Sequence, residues 1–196
     1  MKIFLDMDGV LCDWIGAACK VMGKDKEASL RDQPCGEYGI EIGMGVDPQE
    51  MWKAVDDLGE QFWVDIKPYP WAWQLYRCCQ ALGETYVLSS PSIRSASSSG
   101  KIKWLREFTH EERFTSYVFT KHKHLLAAKD AVLVDDKDNK VSEFITAGGF
   151  GVVFPQKWNS NYQKYLDKGD DAWMDVVAEL KNIRETIHKE PRSAIC

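Results

Sequence analysis

The sequence predicts an α/β fold: an open, Rossmann-like parallel sheet of five main strands flanked by helices, with a small, mostly helical cap inserted after the first strand. Three observations predict it. Five short apolar runs each stop abruptly at polar residues or proline, as strands covered on both faces do. Stretches of helical character alternate with the later runs. A long segment after the first run breaks that alternation, which reads as an insertion rather than a linker.

In chain order, the first run is Ile3-Phe4-Leu5, ending in Asp6. A helix is expected from Asp13 to Met22, then a Gly-rich loop carrying Gly36, Gly39, Gly43 and Gly45. Asp47-Pro48 starts a second helix, with Asp as the N-cap and Pro at the first helical position. The expected division is therefore an α/β core of residues 1–13 and 68–196, with residues 14–67 as the cap. Further helices are expected over Trp71 to Leu82, Gly100 to Phe108 and Asn139 to Ala147. The remaining strands are Tyr86-Val87-Leu88, ending in Ser89-Ser90-Pro91, Tyr117-Val118-Phe119, ending in Thr120, Val132-Leu133-Val134, ending in Asp135-Asp136, and Gly151-Val152-Val153-Phe154, ending at Pro155. Ser95 to Gly100 reads as a flexible loop by composition, and the chain from Glu185 onward as loosely held.

Composition excludes several classes. With 196 residues and 44% hydrophobic content there is material for a sizeable core. Lys and Arg number 25 against 30 Asp and Glu, a formal net charge of −5, so the basic footprint needed to grip long nucleic acid is missing. No apolar run approaches the roughly 18 residues of a membrane span, and the amino terminus lacks a signal-peptide pattern. The six cysteines, Cys12, Cys19, Cys35, Cys78, Cys79 and Cys196, form no CxxC pair, and the four histidines no HExxH. Reduced thiols in a cytoplasmic protein without a zinc site are the expectation.

Ligands of open α/β sheets bind in the crevice at the carboxyl ends of the strands, so the polar residues that end the runs should converge there. Asp6-Met7-Asp8-Gly9 places two carboxylates at the end of the first strand, before a glycine that permits a sharp turn. Asp135-Asp136 brings two more. Carboxylates so gathered repel one another at neutral pH unless a counter-charge intervenes. A hard divalent cation, Mg2+ where phosphates are handled, resolves this.

Asp6-x-Asp8-Gly9-Val10, Ser89-Ser90-Pro91, Lys123 and Asp135-Asp136 together resemble the four ordered motifs of the haloacid dehalogenase superfamily of phosphotransferases. The nearest branch is the 5'(3')-deoxyribonucleotidases. Phe62-Trp63-Val64-Asp65-Ile66-Lys67-Pro68-Tyr69-Pro70 is similar to that branch's return from cap to core, and Asp170-Asp171-Ala172-Trp173 to its C-terminal helix start. The resemblance implies that Asp6 is the nucleophile, forming an acyl phosphate, and that Asp8 first protonates the leaving oxygen and then activates water. Ser89, with Ser90, would hold phosphoryl oxygens. Lys123 would neutralise the transferring group; the spacing from Thr120 favours it over Lys121. Lys101 is a further candidate phosphate contact. Asp6, the Asp8 carbonyl and Asp136 would hold Mg2+, with Asp135 standing behind them. Gly9 would lie beside the substrate.

The resemblance also places a base-packing aromatic at Trp14, and Tyr38, Trp63 and Phe62 are further pocket candidates. Cys12 replaces a small residue of the family pattern. The implied function is a Mg2+-dependent phosphatase for small nucleotides, pyrimidine deoxyribonucleoside 5'-monophosphates foremost. Alternatives are another small phosphomonoester, a nucleic-acid end, or a non-catalytic nucleotide-binding module on the same fold. No membrane partner is expected, and exposed cap aromatics would allow a homodimer.

Overall fold

The computed structural model describes residues 1–189. Its five strands are β1 (Lys2–Leu5), β2 (Glu84–Ser89), β3 (Tyr117–Phe119), β4 (Ala131–Asp135) and β5 (Phe150–Val153). They form one parallel sheet in the order β3-β2-β1-β4-β5. The strand alternation divides its side chains between two faces. Ile3 and Leu5 pack with Val87, Val132 and Val134 on one face, under α6 (Ala72–Leu82) and α10 (Trp173–Lys189), which contribute Leu75 and Leu180. Phe4, Leu88 and Leu133 face the other way, where α8 (Asp138–Thr146) contributes Phe144. Ile3 to Leu5 in β1 and Ala131 to Val134 in β4 are therefore unbroken apolar runs, because both faces are covered.

Five helices lie between β1 and α6: α1 (Trp14–Val21), α2 (Lys26–Asp32), α3 (Ile40–Met44), α4 (Pro48–Leu58) and α5 (Glu60–Val64). Two have the starts the sequence predicts. The Asp13 carboxylate caps α1 by accepting from the Gly16 N–H at 3.0 Å. That of Asp47 caps α4 through the Gln49 and Glu50 N–H groups at 2.8 and 3.1 Å. The short helices α2, α3 and α5 were not expected, and the supposed Gly-rich loop contains α3. Gly45, at φ +62°, ends α3 in the left-handed region. Gly43 sits inside it because an added Cβ would collide with the Ser29 carbonyl and lie 2.9 Å from the Gln33 Cβ.

A second correction concerns Ser95 to Gly100, which is the start of α7 (Ser95–Thr109) and not a loop. The small residues serve packing. A Cβ at Gly100 would stand 2.6 Å from the Trp63 Cβ and 2.7 Å from the Glu60 carbonyl, so α7 and α5 meet almost backbone to backbone. Buried Ser97 accepts from the Ser92 N–H at 3.0 Å.

The third correction is at the C-terminal end. Glu185 to Lys189 continue α10, whose Val176, Val177 and Leu180 are buried. The rest of the stretch expected to be loose, with Cys196, lies outside the described residues. A short helix α9 (Tyr162–Lys168) and a 3-10 turn (Gly169–Ala172) holding Asp170 and Asp171 precede α10.

Chain entry to and exit from the helical insertion run side by side. The Asp13 N–H donates to the Lys67 carbonyl at 2.8 Å and the Tyr69 N–H to the Leu11 carbonyl at 3.0 Å. The indole of Trp71 donates to the Val10 carbonyl at 3.0 Å and stacks on Tyr69 at 4.4 Å between centroids. Among the described residues all cysteines are free thiols, and no helix is long and apolar enough to cross a membrane.

Candidate active site

Because β1 is central, the carboxyl ends of β2 and β4 flank Asp6, and the crevice forms there. Asp6, Asp135 and Asp136 are all buried, and each offers a carboxylate oxygen within 4.8 Å of the others. Lys123, in the 3-10 turn Lys123–Leu126 after β3, enters this cluster from the side. Its Nζ lies 2.8 Å from Asp6 Oδ1 and 2.6 Å from Asp135 Oδ2. Asp6 Oδ1 also accepts from the Met7 N–H at 2.8 Å. Asp135 Oδ1 accepts from the Lys137 N–H at 3.0 Å, so both Asp135 oxygens are occupied. Lys121, the rival to Lys123, lines the cavity and has no ion pair to the cluster among the described residues.

Asp136 is held differently. Its Oδ2 accepts from the Trp158 indole N–H at 2.7 Å, and its main-chain carbonyl from Asn159 Nδ2 at 2.8 Å. Its Oδ1 is buried with no hydrogen-bond partner. Gly9, at φ +78°, passes so close that an added Cβ would collide with this carboxylate. The Gly9 carbonyl is fixed by Gln156 Nε2 at 2.6 Å.

Electrostatics follow from burial. Three carboxylates facing one lysine leave two negative charges in a site removed from water. Burial pushes Asp6 up to about 6, with the Lys123 ammonium pulling the other way and the Asp135 and Asp8 charges adding to the rise. Burial, then the charges of Asp135 and Asp6, push Asp136 well above the usual carboxylate range. Lys123 would be lowered by burial alone, but Asp6 and Asp135 overcome this and hold it above its ordinary value. A divalent cation would cancel the excess charge, and the orphaned Asp136 Oδ1 is a donor already stripped of water. The residues present fit such an ion.

Asp8 stands apart from that cluster. Its Oδ2 pairs with the ammonium of Lys101, and its Oδ1 accepts from the Cys12 thiol at 3.5 Å. Lys101 is fully buried, donates to Ser89 Oγ at 2.7 Å, and lies 4.9 Å from the centroid of the Trp63 ring. Burial, then the Asp8 charge, push the Cys12 thiol far up, so it is an inert neutral donor.

A cavity of about 630 Å³ opens above these groups. From the core it is lined by Asp6, Asp8, Gly9, Ser90, Lys123 and Asp136, and from the helical insertion by Trp14, Tyr38 and Trp63. Trp14 packs on Trp52, another lining residue, at 5.4 Å between centroids. Tyr38 is 58% exposed with the Lys137 ammonium 4.3 Å from its ring centroid. Ser90 Oγ donates to the Thr120 carbonyl at 3.0 Å. Ser89, Lys101 and Phe62 do not line the cavity: the first two are packed behind Asp8, and Phe62 lies in the core against Trp63.

Sequence reasoning missed the segment after β5, which supplies Gln156, Trp158 and Asn159 to the backs of Gly9 and Asp136. The signal was available, since the rule that singled out the ends of the other strands applies equally to the residues after Phe154 and Pro155. It also missed Trp52, because an aromatic on a helix looks the same whether it faces a core or a cavity.

The family of 5' nucleotidase, deoxy (pyrimidine), cytosolic type C proteins matches residues 1–183. The chain belongs to this family. The nucleotidase is accordingly a phosphoric monoester hydrolase whose substrate is a small-molecule nucleotide. A haloacid dehalogenase family hydrolase from Deinococcus radiodurans, solved with bound phosphate and sodium, shares its fold at a TM-score of 0.51 and 14% identity, covering 91% of the nucleotidase and 87% of that chain. A hydrolase from Streptococcus pneumoniae aligns at 0.48 and 12% identity over 85% and 97% of the two chains. L-2-haloacid dehalogenase from Xanthobacter autotrophicus, with chloropropionic acid covalently bound, aligns at 0.47 and 13% identity over 100% and 91%. No curated protein is significantly similar.

Proposed function

We propose that the nucleotidase is a Mg2+-dependent, cytoplasmic enzyme that dephosphorylates pyrimidine deoxyribonucleoside 5'-monophosphates through an aspartyl phosphate. The observation that carries this reading is the pairing of Asp6 with Lys123 at 2.8 Å beside the unpartnered Oδ1 of Asp136, in a cavity that tryptophans also line.

A carboxylate oxygen of Asp6 attacks phosphorus, and the bond to the sugar 5'-oxygen breaks as Asp8 gives that oxygen its proton. Asp8, now a carboxylate, takes a proton from water. The resulting hydroxide attacks phosphorus, the bond to Asp6 breaks, and orthophosphate leaves. The Lys101 ammonium pairs with Asp8 Oδ2 and donates to Ser89 Oγ at 2.7 Å, which holds the Asp8 carboxyl in place for both proton transfers. Lys123 stabilises charge on the transferring group, and Asp135 holds Lys123 in place. Asp6, Asp136 and the Asp8 carbonyl would hold Mg2+, which would supply charge neutralisation for the phosphoryl oxygens.

In this reading residues 14–67 act as a cap that selects the nucleoside. Trp14 and Trp63 offer ring faces or edges to a base, and Tyr38 stands at the rim. The family description supports both the pyrimidine preference and the setting. Phosphate release from dUMP, dTMP, their ribose counterparts and purine nucleotides, with and without Mg2+, tests it. The highest kcat/KM should fall on the deoxypyrimidine 5'-monophosphates, with activity lost in EDTA. Release from no nucleotide, or the same rate in EDTA, overturns it.

A further inference from the structure

We propose that Trp158 is a positioning residue that presents Asp136 to the divalent cation and ties that presentation to the packing of the helical insertion. This rests on the proposed cation site at Asp136.

Asp136 is fixed from three sides. The indole N–H takes Oδ2 at 2.7 Å, Asn159 takes the main-chain carbonyl at 2.8 Å, and Gly9 leaves no room behind. Turning the carboxylate about its own axis would take Oδ2 away from the indole, so Oδ1 is the oxygen left for an ion. The indole is also a neutral donor. It orients the carboxylate without competing with a cation for its charge, as a lysine there would.

The other side of Trp158 faces the insertion. Its ring belongs to a buried cluster with Ile15, Leu30, Ile40, Met44 and Met51, and among the described residues it is the only buried member of that cluster from outside the insertion. The neighbouring Lys157 donates to the Leu30 carbonyl and, at 3.0 Å, to the Arg31 carbonyl at the end of α2. Gln156 and Asn159 anchor the same segment to the core, through the Gly9 carbonyl at 2.6 Å and the Phe154 carbonyl at 2.7 Å. A single side chain thus touches both the ion-binding carboxylate and the floor of the insertion. Linkage makes the coupling reciprocal: an ion that fixes Asp136 also steadies the helices packed on Trp158.

Mn2+ is the probe, counted by loss of the free-ion EPR signal with no substrate present. Trp158→Phe keeps the ring packing and removes the N–H, and its dissociation constant for Mn2+ should rise about tenfold or more, the usual consequence of losing such a partner. In the wild type, Mn2+ should slow amide hydrogen exchange in α1, α2 and α4, and in Trp158→Phe this protection should largely vanish. A dissociation constant within twofold of wild type, or no response of these helices to Mn2+ in the wild type, overturns the inference while leaving the proposed activity standing. The wild-type exchange measurement decides even if Trp158→Phe does not fold. If the wild type binds no Mn2+, the cation site itself fails and the inference with it.

Discussion

Replacing Asp6 by Asn should abolish turnover and, in the metal-free protein, raise stability at neutral pH. Asn has the size of Asp without the nucleophilic charge. In the folded protein burial lifts the Asp6 carboxyl from its ordinary 3.8 to about 6. An acid whose folded value is raised keeps its proton longer in the native state. Between about pH 4 and 6 the native state therefore binds more protons than the unfolded one, and stability falls as pH rises through that window. Two pH units at about 1.4 kcal/mol each place the cost of ionised Asp6 near 3 kcal/mol above pH 7, and it vanishes below pH 4. Asp6→Asn removes this cost, while Lys123 keeps Asp135 as its partner at 2.6 Å. Urea melts of wild type and variant in EDTA, from pH 4 to 8, measure it. The variant's advantage should be near zero at pH 4, grow to a few kcal/mol by pH 7, and shrink or reverse when Mg2+ is added. An advantage that is flat with pH, or a variant less stable at pH 7 than the wild type, would refute the claim that burial governs Asp6.

Three other outcomes are expected. Gly9→Ala places a Cβ at φ +78° against Asp136, so it should cost about 1–2 kcal/mol of backbone strain in urea melts and weaken divalent-ion binding. Lys101→Met, which removes the ammonium that holds Asp8 Oδ2 and Ser89 Oγ, should lower kcat by about tenfold or more with little change in KM, because Asp8 is no longer held in its reactive position; a wild-type kcat would dissociate Lys101 from Asp8. Trp14→Ala should raise KM for dUMP by about tenfold, in line with a stacking contribution of ~1–3 kcal/mol, and change KM for a generic aryl phosphate much less. Equal effects on both substrates would assign Trp14 to packing.

The sheet and the convergence of Asp6, Asp135 and Asp136 were legible in the sequence because they follow from local pattern, whereas Lys123 was legible only through the family resemblance. Strands covered on both faces must be apolar throughout, so the first polar residue after each run marks the carboxyl edge where ligands bind. What local pattern cannot carry is contact between distant segments. Ser95 to Gly100 has the composition of a linker, but its small residues are required by the approach of α7 to α5 at Gly100 and Trp63. Gly43 was misread for the same reason, being demanded by α2 across the gap. Trp158 shows nothing in sequence of its hydrogen bond to a carboxylate 22 positions earlier. The exclusion of Ser89 and Lys101 from the cavity wall depends on an ion pair between buried Lys101 and half-buried Asp8 that spans 93 positions.

The paired backbone bonds at Asp13–Lys67 and Leu11–Tyr69 put both ends of the helical insertion at one doorway beside Asp8. To the folding sheet, more than fifty intervening residues in place of a tight hairpin cost about 2–3 kcal/mol of closure entropy, because that cost grows only with the logarithm of loop length. Such a doorway lets the module beyond it be lengthened, repacked or exchanged while the register of β1 against β2 and β4 stays as it is. New selectivity can then be tried without rebuilding the machinery that cleaves the ester.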